Sequence, residues 1–245
     1  MRVSVIIVTY NNEETITDWH AYRGQYFALL NLDTVPTEKW LSELVRTMER
    51  DSKIGVARSL PLNMDGSVDS AGGFLNFFRY PLELGKNKLP LLPNDIYEIG
   101  YAKGAAALFR WSSYLHAGGF DERFFFYYDE TDLCYRLRKA GYRVVLVPSS
   151  IVYHKGLGSN IPSKELFVLY YMERNHLLFL YKNMPYRLPL ALTWSIMGMV
   201  KERGARFNVR LRALSDFMRL LMKRRVNDPV DLSNILQELN DMEQV

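Results

Sequence analysis

Two apolar, strand-like runs, VSVIIV at residues 3–8 and YFALLNLD at residues 26–33, are joined by a connection in which Asn11 to Gln25 supplies only fifteen residues. A parallel crossover needs about a dozen residues including its helix, so the chain has room here for one right-handed βαβ unit and little else. VSVIIV is almost continuously β-branched, the pattern of a parallel strand covered on both faces. Asn11 or Asn12 can cap the intervening helix, Glu13 and Glu14 suit its first turn, and Gly24 can end it.

The same alternation continues downstream. Pro36 to Arg50 reads as an amphipathic helix and KIGVARSLPLN as a strand and turn. Residues 61–100 are rich in Pro, Gly, Asn and aromatics with weak periodicity, which reads as a long loop with room for a small hairpin. GAAALFRWSSYLHAGGFD predicts a strand followed by a short helix, Glu130 to Ala140 a helix, and YRVVLVPSSIVYH one or two strands. After Pro162 the pattern is helical almost to the end. Alternating strands and helices followed by a helical tail predict an α/β domain over residues 1–162 and a helical region over 163–245.

Composition narrows the class. Apolar residues make up 48% and charged residues 24% of the 245, the balance of a folded chain. The net charge of +4 is uneven, because Lys201 to Arg225 holds nine Lys/Arg against Glu202 and Asp216. The single cysteine, Cys134, excludes an intramolecular disulfide and suits a reducing compartment. No signal-peptide layout precedes VSVIIV. The longest uncharged run, Leu188 to Val200, has 13 residues and is interrupted by Pro189, too short for a comfortable membrane span.

Ligands of open α/β sheets sit at the carboxyl ends of strands. Three polar groups are predicted there: Thr9 to Asn12, Asn31 to Thr34, and Tyr153 with His154. Asp33 and His154 offer a carboxylate oxygen and an imidazole nitrogen, a pair suited to Mg2+ or Mn2+ whose other ligands are a diphosphate and water. Taken singly, an aspartate such as Asp33 after a strand is more often a turn or helix cap, and a lone histidine is usually structural. Asp129, Glu130 and Asp132 stand behind an aromatic run and open a helix. Repulsion and partial burial there would raise a carboxylate pKa, as a general base needs, although acids also simply favour a helix N-terminus.

The segments VSVIIVTYNNEETI, LLNLDTVP, GAAALFRWSSYLHAGGFDERFFFYYDETDLCYRLRKAGYRVVLVPSSIVYHKGLGS and YYMERN occur in the order found in family 2 glycosyltransferases. Over residues 2–182 the chain resembles their rhamnosyltransferase-like branch. The resemblance implies a truncated GT-A (Rossmann-like) α/β fold, a mostly parallel sheet with flanking helices, followed by the C-terminal helical appendage. It implies transfer of a sugar from a nucleotide-diphosphate donor to a hydroxyl acceptor, lipid-linked or on a surface glycan, with inversion. Thr9, Tyr10, Asn11, Asn31 and Gly104 would contact the nucleotide sugar. Asp33, the last acid of the family's D-x-D with Asn31 in its first position, would bind the metal with His154. Glu130, with Asp129, would be the catalytic base, and Asp132 and Arg136 would lie on the acceptor side. Aromatic residues from Phe124 to Tyr128 would stack on sugar faces or pack in the core.

One departure accompanies the resemblance. Family members usually carry several dozen more residues between the two opening motifs, including strands that form the nucleoside floor, and the chain is internally shortened between Asn12 and Tyr26. VSVIIV then becomes a long apolar edge strand, open to a second copy or to a partner chain. Two functions follow, a working transferase or a catalytically impaired remnant serving as a binding module.

In the C-terminal region Phe207, Leu211, Leu214, Met218 and Leu221 (or Met222) recur at helical spacing among arginines. That pattern suits a helix lying on an anionic membrane surface, at the cytoplasmic, inner face of the cell membrane. Docking on the chain's own domain, or a dimer surface, is the simpler reading of the same stripe. No nucleic-acid motif accompanies the charge.

Overall fold

The computed structural model describes residues 3–8, 24–85, 96–103, 106–155 and 164–222. The chain divides into two units. The first comprises Met1–Asn76, Pro81–Phe120 and Glu130–Leu157, and the second Phe77–Tyr80, Asp121–Asp129 and Gly158–Val245. Segments 77–80 and 121–129 thus group with the helical tail rather than with the chain that flanks them.

In chain order the elements of the first unit are β1 (Val3–Val8), β2 (Tyr26–Asn31), β3 (Thr34–Pro36), α1 (Trp40–Arg50), β4 (Ile54–Asn63), β5 (Gly73–Leu75), β6 (Pro81–Glu83), β7 (Tyr97–Glu98), β8 (Ala106–Arg110), α2 (Trp111–His116), α3 (Asp129–Lys139, its first residue on the boundary) and β9 (Arg143–His154). The main sheet runs β1-β2-β8-β4-β9-β3, with β7 also on β9, while β5 and β6 form a separate hairpin. This hairpin is the one for which the 61–100 stretch left room; the end of β4 and β7 lie in the same stretch.

β1 and β2 are parallel neighbours, Val3 opposite Tyr26 through Val8 opposite Asn31. The short connection therefore joins adjacent strands; the helix expected within it lies outside the described residues. Four strands, β1, β2, β4 and β9, point the same way, but β8 is interposed antiparallel between β2 and β4. Among the described residues only β1–β2 and β4–β9 pair in parallel, so the sheet is mixed and the expectation of a mostly parallel one is corrected. β1 stands at the end of the sheet order among the described residues, the edge position that the short connection predicts. It is not covered on both faces, however, since Ser4 and Val5 are exposed, Val5 at 43%. β2, buried from Tyr26 to Leu30, is so covered.

The period-2 alternation of the central strands sorts their side chains onto two cores. Phe27, Leu29 and Val56 join Leu133 and Leu137 of α3 on one face. Tyr26, Ala28, Leu30 and Ala57 join Trp40, Leu44 and Met48 of α1 on the other. The i, i+4, i+8 spacing of the α1 trio makes one apolar stripe. Full burial of Leu44 and Met48 stabilises by roughly 1.5–3 kcal/mol each.

The second unit contains α4 (Lys164–Asn183), α5 (Leu188–Lys201) and α6 (Ala205–Leu221), with a 3-10 turn, Pro185–Arg187, before α5. Val209 and Ala213 of α6 pack with Leu166, Phe167, Tyr170 and Tyr171 of α4. Glu173 of α4, 6% exposed, joins three helices. It accepts from Ser195 of α5 at 3.1 Å and pairs with Arg210 of α6. The face of α6 that docks is thus Val209–Ala213–Phe217. The apolar stripe read from the sequence points elsewhere, with Phe207, Leu211, Met218 and Met222 exposed. No helix among the described residues is long and apolar enough to cross a membrane.

Candidate functional site

Because β2, β4 and β9 share a direction, their carboxyl ends lie along one edge of the sheet. Thr34 of β3 is in register with His154 of β9, and the amide of Lys155 donates to the Asp33 carbonyl at 2.8 Å. These backbone pairings carry the two side chains together, His154 Nε2 lying 3.1 Å from Asp33 Oδ2. The other ring nitrogen, Nδ1, is 3.1 Å from Asp69 Oδ2. The imidazole is therefore held between two carboxylates, with all three side chains only 18–25% exposed. The hydrogen bond to Asp69 raises the His154 pKa above its ordinary value, against the effect of burial and with help from Asp33. The same bond holds the Asp69 carboxyl below its usual range.

Behind Asp69 stands Arg58, in the middle of β4 and 1% exposed. Its Nη1 donates to the Ser70 carbonyl at 2.8 Å, whereas Nε and Nη2 have no hydrogen-bond partner among the described residues. Burial lowers the Arg58 pKa, opposed by the negative groups around it, Asp69 foremost and then Tyr101, Glu83 and Glu130. Glu83 is paired with Lys103.

Asp129 and Glu130 begin α3 and are half-buried. Asp132, one turn on, is fully buried and ion-paired to Arg136 at 2.8 Å. Arg136 also donates to the carbonyls of Ala117 and Gly119; Gly118 and Gly119, both at positive φ, turn the chain there. This pair, expected on the acceptor side, is a buried tie between α3 and the chain after α2.

In the second unit, segment 124–128 has an unusual backbone. Phe125, Tyr127 and Tyr128 have φ of 60, 59 and 66°, a region that costs a non-glycine residue about 1–2 kcal/mol. Two adjacent α4 residues hold it. Arg174 Nη2 donates to the carbonyls of Arg123 and Phe124, both at 2.8 Å. Asn175 Nδ2 donates to Phe124, Phe126 and Tyr127 at 2.8, 2.6 and 2.9 Å. Of the aromatics, Phe124 and Tyr128 are core, while Phe125 and Phe126 are exposed.

Asn31 ends β2, where its carbonyl accepts from Thr34 Oγ1 at 2.6 Å. Thr9, Tyr10, Asn11 and Gly104 lie outside the described residues. Sequence reasoning missed Asp69 and Arg58, and it quoted Arg174–Asn175 only as part of a motif. A signal existed for Arg58: a lone cation inside the apolar run IGVARSLPL of a strand buried throughout is rare unless it is paired. Asp69 had none, since its placement depends on a strand 85 positions away.

Among the described residues no three His, Cys, Asp or Glu side chains converge as a metal-holding group, leaving Asp33 and His154 as two protein ligands at most. Their donor set nevertheless fits Mg2+ or Mn2+. Neighbouring ligands of an octahedral ion at about 2.1 Å stand about 3 Å apart, close to the 3.1 Å found between Nε2 and Oδ2. A diphosphate and water would complete the shell.

Similarity to known proteins follows the same segments. The model of the family described as glycosyl transferase family group 2 matches residues 26–161. An N-acetylglucosaminyl-diphospho-decaprenol L-rhamnosyltransferase of Mycobacterium tuberculosis is 46% identical over 56 residues, 23% of this chain and 18% of that protein. Rhamnosyltransferase WbbL of Escherichia coli is 34% identical over 83 residues, 33% of this chain and 31% of that protein. Less than a third of each of these relatives is therefore spanned. A mannosyltransferase from Pyrobaculum calidifontis, solved with GDP-Man and Mn2+, aligns with a TM-score of 0.43 and 12% identity over 91% of this chain and 60% of that one. Covering β2 through β9, and with them Asp33, Asp69 and His154, the family match over residues 26–161 leaves one conclusion: the chain belongs to glycosyl transferase family group 2.

Proposed function

We propose that the chain transfers a sugar from a nucleotide-diphosphate donor to a hydroxyl of a lipid-linked or surface-glycan acceptor, inverting the anomeric centre. The observation that carries this reading is the Asp33–His154 pair at the carboxyl edge of the sheet, in the unit that also holds Glu130. When bound, Mg2+ or Mn2+ neutralises the charge that develops on the departing diphosphate. Asp33 and His154 hold that end of the donor. Glu130, with Asp129 beside it, takes the proton of the attacking hydroxyl. Asn31, Thr9, Tyr10, Asn11 and Gly104 line the donor, on the strength of the resemblance. The name of the mycobacterial relative supports a lipid-linked acceptor.

The helical region suits a place on the cytoplasmic face of an anionic membrane. Leu190, Trp194, Met197 and Val200 of α5 are exposed, and Lys201, Arg203 and Arg206 follow directly. Co-sedimentation with anionic vesicles at low salt, lost at high salt, checks this placement. For the reaction, calorimetric titration of the chain with UDP-, GDP- and dTDP-linked sugars in Mn2+ is decisive. Heat with one nucleotide class supports the transferase. No heat with any donor at millimolar concentration sinks it and leaves a binding module.

A further inference from the structure

A ring nitrogen can ligate a cation only when it is unprotonated. The group that takes the proton of the other nitrogen fixes both the tautomer and the orientation of the ring. His154 has such a group in Asp69, on the side opposite Asp33. Asp69 is itself fixed on either side by β4. Its amide donates to the Pro61 carbonyl at 3.0 Å, and the carbonyl of the next residue, Ser70, accepts from Arg58 Nη1 at 2.8 Å. A guanidinium 1% exposed with two unpartnered nitrogens among the described residues needs a counter-charge, and Asp69 is the foremost of its negative neighbours.

We propose that Asp69 is a positioning residue of this site: it holds the Nδ1–H of His154 so that Nε2 faces Asp33, and Arg58, from inside β4, fixes the backbone beside Asp69 through the Ser70 carbonyl. The relation of His154 to Asp69 stands on geometry alone. Its consequence for a bound cation rests on the reading of Asp33 and His154 as metal ligands.

Two measurements on the full chain separate these claims. The first is nitrogen-15 NMR of the metal-free protein labelled at its four histidines, with His154→Ala assigning the ring. A hydrogen-bonded Nδ1–H signal is expected from His154. Asp69→Ala removes it. Asp69→Asn, whose amide oxygen still accepts, shifts the signal without removing it and serves as the test if the alanine variant does not fold. The second is titration with Mn2+ alone, followed by the electron paramagnetic resonance of the free ion. A change of about 10- to 100-fold in affinity is expected for Asp69→Ala, and a smaller one for Asp69→Asn. Unchanged ring signals in the folded Asp69 variants overturn the proposal, as does a lowered melting temperature with ring signals and Mn2+ affinity as in the parent. Ring signals that follow Asp69 in a chain that binds no Mn2+ uphold the positioning and remove the metal reading instead.

Discussion

The Nδ2 of Asn175 donates to the Phe126 carbonyl at 2.6 Å, the shortest of three bonds by which one side-chain amide holds a loop of left-handed residues. Replacing Asn175 with alanine leaves three carbonyls without this donor. A loss of about 1–3 kcal/mol is expected, read as a lower urea midpoint with an unchanged slope.

The same loop makes two adjacent phenylalanines respond differently to glycine. Phe125 sits at φ 60° and is 46% exposed, so Phe125→Gly trades backbone strain against added freedom of the unfolded chain. Stability within about 1 kcal/mol of the parent is expected. Phe124 is fully buried, and Phe124→Gly is expected to cost at least the roughly 3–5 kcal/mol of a core Phe truncation. Equal costs at the two positions would contradict the backbone geometry.

His176, 2% exposed, donates through Nε2 to the Phe78 carbonyl at 2.7 Å, and burial pushes its pKa down to about 4. The unfolded chain takes up this proton near pH 6.5 while the folded chain does not. Stability from this group is complete above pH 6.5, declines as pH falls, and levels off below about 4. The full effect is at most about 3 kcal/mol. Denaturant melts across this window should show the slope in the parent and a flatter line in His176→Gln.

Asp132 is fully buried and Arg136 only 15% exposed, so removing the carboxylate leaves a largely buried guanidinium without its counter-charge. Asp132→Ala is expected to destabilise by about 3–5 kcal/mol. The double variant Asp132→Leu/Arg136→Met should recover much of that loss. Calorimetric melting of the three proteins measures both.

Glu130→Gln keeps shape and removes the proton acceptor. Donor binding heat is expected to stay as in the parent, with transfer to acceptor lowered about 100- to 10,000-fold. A variant that turns over normally would move the base to Asp129 or elsewhere.

The elements were legible wherever periodicity was strong. β2, α1, α3 and α4 fall close to the segments that VSVIIV-like runs and i, i+4 stripes predict. The adjacency of β1 and β2 was legible too, because a fifteen-residue crossover reaches little further than a neighbour. The interposed β8 was not, since strand order depends on pairings between distant segments, and AALFR looks the same in either direction. Asp33 and His154 were found as strand-end polar groups. Asp69 escaped because a turn aspartate has no pattern of its own, and its meaning comes from the ring it touches. The α6 stripe was found, yet not the narrower Val209–Ala213–Phe217 face that docks, since a helix with apolar residues on two sides does not reveal which side its own protein covers.

The separation of the imidazole from its two carboxylates, 121 and 85 positions along the chain, has a kinetic consequence. No local hairpin or helix can preassemble this cluster. It closes only when β9, among the last pieces of the first unit to leave the ribosome, pairs with β4 and β3. Pairings of such long range form slowly, so a partly made or partly folded chain carries Asp33 and Asp69 without their histidine. Until that strand arrives, the edge of β4 that it covers is an apolar template open to other chains, and the order of synthesis leaves the unit exposed to misassembly for longest before its chemistry exists.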